Sequence, residues 1–211
     1  MASFSSSHVT CHKHGLVTAR VGLVGQPTRG LNTRIQQKTS VVCNASSATP
    51  VVLPYRIGHG WDLHRLEPGY PLIIGGIDIP HERGCVAHSD GDVLLHTVVD
   101  AILGALCLPD IGQLFPDTDP QWKGCRSDVF LKEAVRLMKE RGYELGNIDC
   151  TIIAQKPKLS PHKETIRNNL CDILGADPSV VNIKAKTHEK VDSLGENRSI
   201  ACEAVVLLLK S

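Results

Sequence analysis

Short apolar runs separated by turn signals recur along most of the chain. Residues 55–66 read as a strand, and Pro71-Leu72-Ile73-Ile74 and Ile77-Asp78-Ile79-Pro80 flank Gly75-Gly76, a tight hairpin signal. The apolar run 93–108 predicts a helix through Ala101, Leu103 and Leu106, capped by Ser89 or Asp90 and stopped before Pro109. A loop dense in proline, glycine and carboxylates follows over 110–120. A second helix, capped by Ser127 or Asp128, sets Leu131, Ala134, Val135 and Met138 on one stripe and ends at Gly142. Residues 148–154 predict a strand, and Ile166, Leu170 and Ile173 a third helix ending at Gly175. Val181, Ile183 and Ala185 alternate with polar residues in the next strand, and 200–209 makes the last. Strands joined through helices in one small domain predict an α/β (α+β) fold, a mixed sheet with helices packed on one face.

Composition changes the picture at the amino terminus. No Asp or Glu precedes Asp62, whereas residues 1–50 carry Lys13, Arg20, Arg29, Arg34 and Lys38 among many Ser, Thr and Val. All 22 acidic residues therefore meet only 18 of the 23 basic ones in the rest, which has a net charge of −4 beneath an overall +1. An acid-free, Ser-rich, Arg-containing opening describes an organelle transit peptide, and Met-Ala-Ser-Phe-Ser-Ser-Ser points to a chloroplast leader removed between Val41 and Pro50. This predicts a leader over 1–50 and one domain over 51–211. The five basic residues are too dispersed for a nucleic-acid arm. No apolar run approaches the roughly 20 residues that cross a bilayer. Aromatic content of 4% against 42% hydrophobic residues requires an aliphatic core. Of eight cysteines, Cys107, Cys150, Cys171 and Cys202 lie in apolar periodic stretches and read as small buried hydrophobes. With no C-x-x-C pair, free thiols are expected.

Two motifs carry candidate chemistry. Asp62 and His64 lie two apart on a strand, so both project to one face. Asp92, His96 and Asp100 are spaced by four and share one face of a helix. If strand and helix meet, Asp62, His64 and His96 supply three ligands of an open zinc site, with a fourth position for water or substrate. The alternative is a capped helix with one exposed and one core histidine. Asp100, one turn after His96, could fix its imidazole, or be a helix-surface carboxylate. Lys156 and Lys158 follow a strand's carboxyl end, where ligands of open α/β sheets bind and where they would suit phosphate; plain surface lysines are the alternative. In Lys186-Thr187-His188-Glu189 a hydroxyl, an imidazole and a carboxylate come together, and Glu189 could hold Mg²⁺ alongside substrate phosphates.

Taken together, Gly58-His59-Gly60-Trp61-Asp62-Leu63-His64, Ala87-His88-Ser89-Asp90-Gly91-Asp92, Asp110-Ile111-Gly112, Phe115-Pro116-Asp117-Thr118-Asp119 and Ile200-Ala201-Cys202-Glu203-Ala204 occur in an order that closely resembles the 2-C-methyl-D-erythritol 2,4-cyclodiphosphate synthase family, over residues 55–210. The resemblance implies a homotrimer with an active site at each subunit interface, acting in the chloroplast stroma. The substrate would be 4-diphosphocytidyl-2-C-methyl-D-erythritol 2-phosphate, whose 2-phosphate attacks the β-phosphorus to release CMP. Asp62, His64 and His96 match the family's zinc ligands. Glu189 would hold Mg²⁺ or Mn²⁺, and His88 and Thr187 would stabilise the transition state. Ser89, Asp110, Ile111, Gly112, Phe115, Pro116, Asp117, Thr118 and Asp119 would bind substrate. Ala154, Gln155, Lys156, Pro157, Lys158, Leu159, Ser160, Lys186 and His188 would form the cytidine and phosphate pocket.

The chain departs from the bacterial pattern at Lys186-Thr187-His188-Glu189, where Thr-Thr-Thr-Glu is common, and at Gly195-Glu196-Asn197-Arg198, where a Gly-Arg-Gly-Glu-like loop is common. The first departure keeps the hydroxyl and the carboxylate; the second puts in doubt any ligand role for that loop. A zinc phosphohydrolase and a non-catalytic nucleotide-binding trimer with structural zinc remain competing readings. Three protein ligands rather than four favour catalysis over the latter.

Overall fold

A computed structural model describes residues 51–211; the leader expected over 1–50, with Cys11 and Cys43, lies outside the described residues. In chain order the elements are β1 (Tyr55–Pro68), β2 (Ile73–Ile74), β3 (Ile77–Asp78), β4 (Arg83–Val86), α1 (Val93–Ala105), α2 (Ile111–Leu114), α3 (Asp128–Glu140), β5 (Tyr143–Ile153), α4 (Lys163–Leu174), β6 (Val181–Lys186), α5 (Asp192–Gly195) and β7 (Ser199–Lys210). Five strands form one mixed sheet in the order β4-β1-β7-β5-β6, in which only β5 and β6 run parallel. The parallel pair is the one joined through a helix, α4, as a crossover connection requires.

β1 sets the two faces of the sheet. Gly58, Gly60 and Leu66 are buried while Tyr55, Ile57, Trp61 and Leu63 are exposed, so Asp62 and His64 point to the helix-covered side. α1 packs against β1 and β7, and nearly all its residues are buried, which suits a helix that is apolar around most of its circumference. The glycines let it come close. A Cβ at Gly58 would fall 1.8 Å from the carbonyl oxygen of Ala101, and one at Gly60 would fall 2.0 Å from that of Thr97. Helices on one face of a mixed sheet are the predicted architecture.

Several local expectations are corrected. The cap of α1 is Asp92, not Ser89 or Asp90: its carboxylate accepts from Leu95 N at 3.0 Å and also from the Gly75 and Gly76 amides at 2.9 and 2.5 Å. One buried side chain thus ties the Gly75-Gly76 hairpin to the helix carrying His96, and it is a cap rather than a member of the helical face. Burial pushes the Asp92 carboxyl up to about 6, against the three amides that favour its charged form. Ser127 stands at the start of α3 but makes no capping bond. The 110–120 loop contains α2, which Asp110 caps through Gln113 N at 2.9 Å. β5 begins five residues earlier than predicted, passing a bulge between Leu145 and Asn147 at Gly146. Cys107 is exposed rather than buried, because it turns out of the helix end at φ +55. The six described cysteines are free.

Candidate active site and metal centre

β1 and α1 bring Asp62, His64 and His96 to one point. Asp62 Oδ2 and His64 Nε2 are 2.8 Å apart, His64 Nε2 and His96 Nδ1 3.2 Å, and His96 Nδ1 and Asp62 Oδ2 3.3 Å. Donors bound about 2.0–2.1 Å from a tetrahedral zinc lie about 3.3 Å from one another, so this triangle is close to one face of such a site. Among the described residues it is the one cluster of this kind. The set, one carboxylate and two imidazoles, fits a divalent ion with an open position. Burial pushes the Asp62 carboxyl up, but the imidazoles of His64 and His96 beside it outweigh that and hold the group well below the ordinary carboxylate range. The Leu63 amide donates to Asp62 Oδ1 at 2.8 Å and leaves Oδ2 facing the histidines.

Other expected residues gather around this point to different degrees. Ser89 Oγ lies 3.2 Å from His96 Nε2. His88 Nε2 donates to the carbonyl of Asp119 at 3.4 Å, which joins the Ser-Asp-Gly-Asp segment to the end of the acidic loop. Phe115 stacks at 4.6 Å on Phe130, whose ring centroid is 6.0 Å from that of His96, so it braces the site from behind. Asp100 does not bond His96; its carboxylate accepts from Ile111 N at 2.8 Å and anchors the start of α2. A cleft of about 370 Å³ beside it is lined by Trp61, Asp110 and Gln113.

A second cluster forms at the far edge. Ala154 N donates to Lys186 O at 2.9 Å, Lys190 N to Gln155 at 3.4 Å, and Thr187 Oγ1 to Glu189 at 3.2 Å. Lys156, Pro157 and Lys158 line a cleft of about 410 Å³ with His81 and Glu82, whereas the Leu159 side chain is buried in the core. Asp62 is level with Ile152 on β5 and Ala185 on β6 through the intervening β7. Three strand steps therefore separate the Asp62–His64 pair from Thr187 and Glu189, roughly 14 Å within one chain.

The family profile described as the YgbB family matches residues 55–209. The chain belongs to the YgbB family. A chloroplastic 2-C-methyl-D-erythritol 2,4-cyclodiphosphate synthase of Arabidopsis thaliana is 64% identical over 220 residues, covering 99% of this chain and 94% of that relative. Another, from Oryza sativa subsp. japonica, is 76% identical over 166 residues, covering 79% and 75%. Among solved structures, IspF of Plasmodium falciparum in a CDP complex superposes with a TM-score of 0.68 at 38% identity, over 76% of this chain and 99% of that one. A CDP-bound 2C-methyl-D-erythritol-2,4-cyclodiphosphate synthase does so at 0.68 and 43%, over 72% and 99%. The resemblance drawn from the motifs is therefore shown.

In this YgbB-family chain two residues at the metal point escaped the sequence reading. Ser127 Oγ lies 2.8 Å from His96 Nε2, and Asp90 bonds the same hydroxyl. The sequence alone offers both as helix caps. The signal that separates the two uses is long-range: Asp92 already caps α1, which frees Asp90 to reach across to α3.

Proposed function

We propose that this chain converts 4-diphosphocytidyl-2-C-methyl-D-erythritol 2-phosphate to 2-C-methyl-D-erythritol 2,4-cyclodiphosphate, a phosphorus–oxygen lyase step of non-mevalonate isoprenoid synthesis. The observation that carries this reading is the Asp62–His64–His96 triangle in a chain of this family. In the reaction one oxygen of the 2-phosphate bonds the β-phosphorus, the bond from that phosphorus to the CMP oxygen breaks, and CMP leaves with the electron pair. Both partners are anionic, so catalysis rests on positioning and charge neutralisation. Zinc held by Asp62, His64 and His96 would polarise a β-phosphate oxygen, and Mg²⁺ or Mn²⁺ on Glu189 would neutralise charge on the diphosphate and on the departing CMP.

The chain's own groups do the rest. His88 and the Thr187 hydroxyl donate to phosphate oxygens as charge builds on them. The Ser89 hydroxyl, the α2 segment with Asp110, Ile111 and Gly112, and the turn of Pro116, Asp117, Thr118 and Asp119 hold the methylerythritol end. Phe115 shapes its wall. Ala154, Gln155, Lys156, Pro157, Lys158 and Ser160, with Leu159 packed beneath, hold the cytidine, and Lys186 and His188 flank its phosphates. The separation of roughly 14 Å between the triad and Thr187–Glu189 within one chain favours sites completed by a neighbouring subunit, in a homotrimer. The exposed apolar residues of β1 supply a contact face for it.

Residues 1–50 serve as a chloroplast transit peptide and 51–211 as the catalytic domain, placing the enzyme in the stroma. The acid-free composition of 1–50 and the chloroplastic names of the plant relatives support this. The deciding experiment is phosphorus NMR of the diphosphocytidyl substrate incubated with the chain, Zn²⁺ and Mg²⁺. Cyclic diphosphate with stoichiometric CMP is expected. Linear phosphate products would replace the reading with hydrolysis, and absence of turnover with tight CDP binding would leave a binding protein.

A further inference from the structure

The ring of His96 has two nitrogens with opposite tasks. Nδ1 faces Asp62 and His64; Nε2 faces the hydroxyls of Ser127 at 2.8 Å and Ser89 at 3.2 Å. A neutral imidazole carries its proton on one nitrogen only, and a metal can bind only the other. Which tautomer forms is settled by what the Ser127 hydroxyl does with its single proton.

Asp90 settles that. Its Oδ1 accepts from the Ser127 hydroxyl and from Asp92 N at 3.2 Å, and its Oδ2 accepts from Ser127 N at 3.0 Å. A carboxylate only accepts, so the hydroxyl proton of Ser127 points at Asp90 and its lone pairs point at His96. His96 must then donate from Nε2, and Nδ1 keeps a free lone pair. Every hydrogen bond in the series runs one way, from His96 to Ser127 to Asp90. Ser127 is fully buried, so bulk water does not offer the ring an alternative partner there.

We infer that Asp90 and Ser127 are positioning residues that lock His96 in the Nε2–H tautomer and so present Nδ1 to the metal. This rests on the metal reading of the Asp62–His64–His96 cluster. Outer-shell partners of ligating histidines work in this manner and typically change metal affinity by roughly 10- to 100-fold. The design also explains why position 90 is a carboxylate and not its isosteric amide. An Asn there would turn an NH₂ either toward Ser127 N–H or toward Asp92 N–H and the hydroxyl, opposing a donor in both orientations.

The test has two independent readouts on the full-length chain. Nitrogen-15 spectra of the zinc-loaded wild type should show His96 protonated at Nε2 and ligated through Nδ1, and ligation through Nε2 would overturn the relay without any variant. Zinc Kd by chelator competition should rise roughly 10- to 100-fold in Ser127→Ala and in Asp90→Asn, with His96 becoming a tautomer mixture, while Ser127→Thr retains the hydroxyl and stays near wild type. A Ser127→Ala Kd within two-fold of wild type overturns the relay and leaves the metal site standing. Zinc uptake that His96→Ala does not change overturns the metal reading itself, and the relay with it.

Discussion

The backbone of Gly60 rests directly on the carbonyl of Thr97, so close that a Cβ would lie 2.0 Å from that oxygen. Gly60 is two residues before Asp62, and Thr97 directly follows His96. The spacing between strand and helix at this contact therefore fixes the spacing between the two halves of the metal triangle. Gly60→Ala should push α1 from β1, with an overpacking cost of about 1–3 kcal/mol and a matching loss of zinc affinity. Gly104→Ala is the control: the nearest atom to its Cβ is His59 O at an ordinary 3.8 Å. That change should stabilise α1 by up to about 1 kcal/mol. Denaturant unfolding and zinc titration check both, and equal effects of the two substitutions would refute the contact as the determinant.

His96 and Glu189 should separate the two metal dependences. His96→Ala removes one corner of the triangle and should abolish bound zinc and turnover together. Glu189→Gln keeps the triangle, so zinc stays bound while stimulation by added Mg²⁺ or Mn²⁺ disappears. Metal analysis alongside activity measures this. A Glu189→Gln enzyme with unchanged Mg²⁺ response would remove that residue from the second ion.

Much of this was legible in the sequence, and the misses share a cause. The two-residue spacing of Asp62 and His64 and the apolar run holding His96 made these three a candidate ligand set, because strand alternation and helical periodicity are local rules, and the structure brings them together. The Gly75-Gly76 hairpin and the glycine stops at Gly142 and Gly175 were legible for the same reason; all four glycines have positive φ. The caps were not. Ser89, Asp90, Asp92, Ser127 and Asp128 are all good capping residues, and the choice among them is made by partners 16 to 37 residues away, the Gly75–Gly76 amides for Asp92 and Ser127 for Asp90. Asp100 was misplaced similarly, since helical spacing set it near His96 but the open amide of Ile111 took its carboxylate.

Asp128 gives a pH signature at the helix that carries Ser127. Partial burial pushes its carboxyl up, but Lys132 at 2.7 Å and Arg126 at 3.2 Å outweigh that and hold it below the usual range. A carboxylate whose folded pKa is depressed contributes stability above the unfolded value, near 4, and loses it as pH falls through the folded value. The partners are exposed, so the contribution is about 0.5–1 kcal/mol at neutral pH. Asp128→Asn should therefore cost that amount at pH 7 and progressively less as pH falls below the unfolded value, by denaturant unfolding at fixed protein concentration. A gap that does not shrink with acid would show that the pair contributes nothing.

The uncovered face of the sheet makes the last prediction. Tyr55, Ile57, Trp61 and Leu63 project from β1 on the side without helices, and Val205 stands opposite His59 on the neighbouring strand. Ile57 is 74% exposed, an unfavourable state for so apolar a row in water. In the homotrimer proposed above this face lies between subunits, where it is buried. Ile57→Glu should then yield monomers in sedimentation that keep the fold and bind zinc but do not turn over. The proposed completion of each site by a neighbouring chain has a sharper consequence. His96→Ala chains, inactive alone, and Glu189→Gln chains, unresponsive to Mg²⁺ alone, should regain about a quarter of the wild-type Mg²⁺-stimulated activity when unfolded together and reassembled in equal amounts, because one interface in four pairs an intact triad with an intact Glu189. Mixed assemblies that form and remain unresponsive to Mg²⁺ would place both halves of the site in one chain.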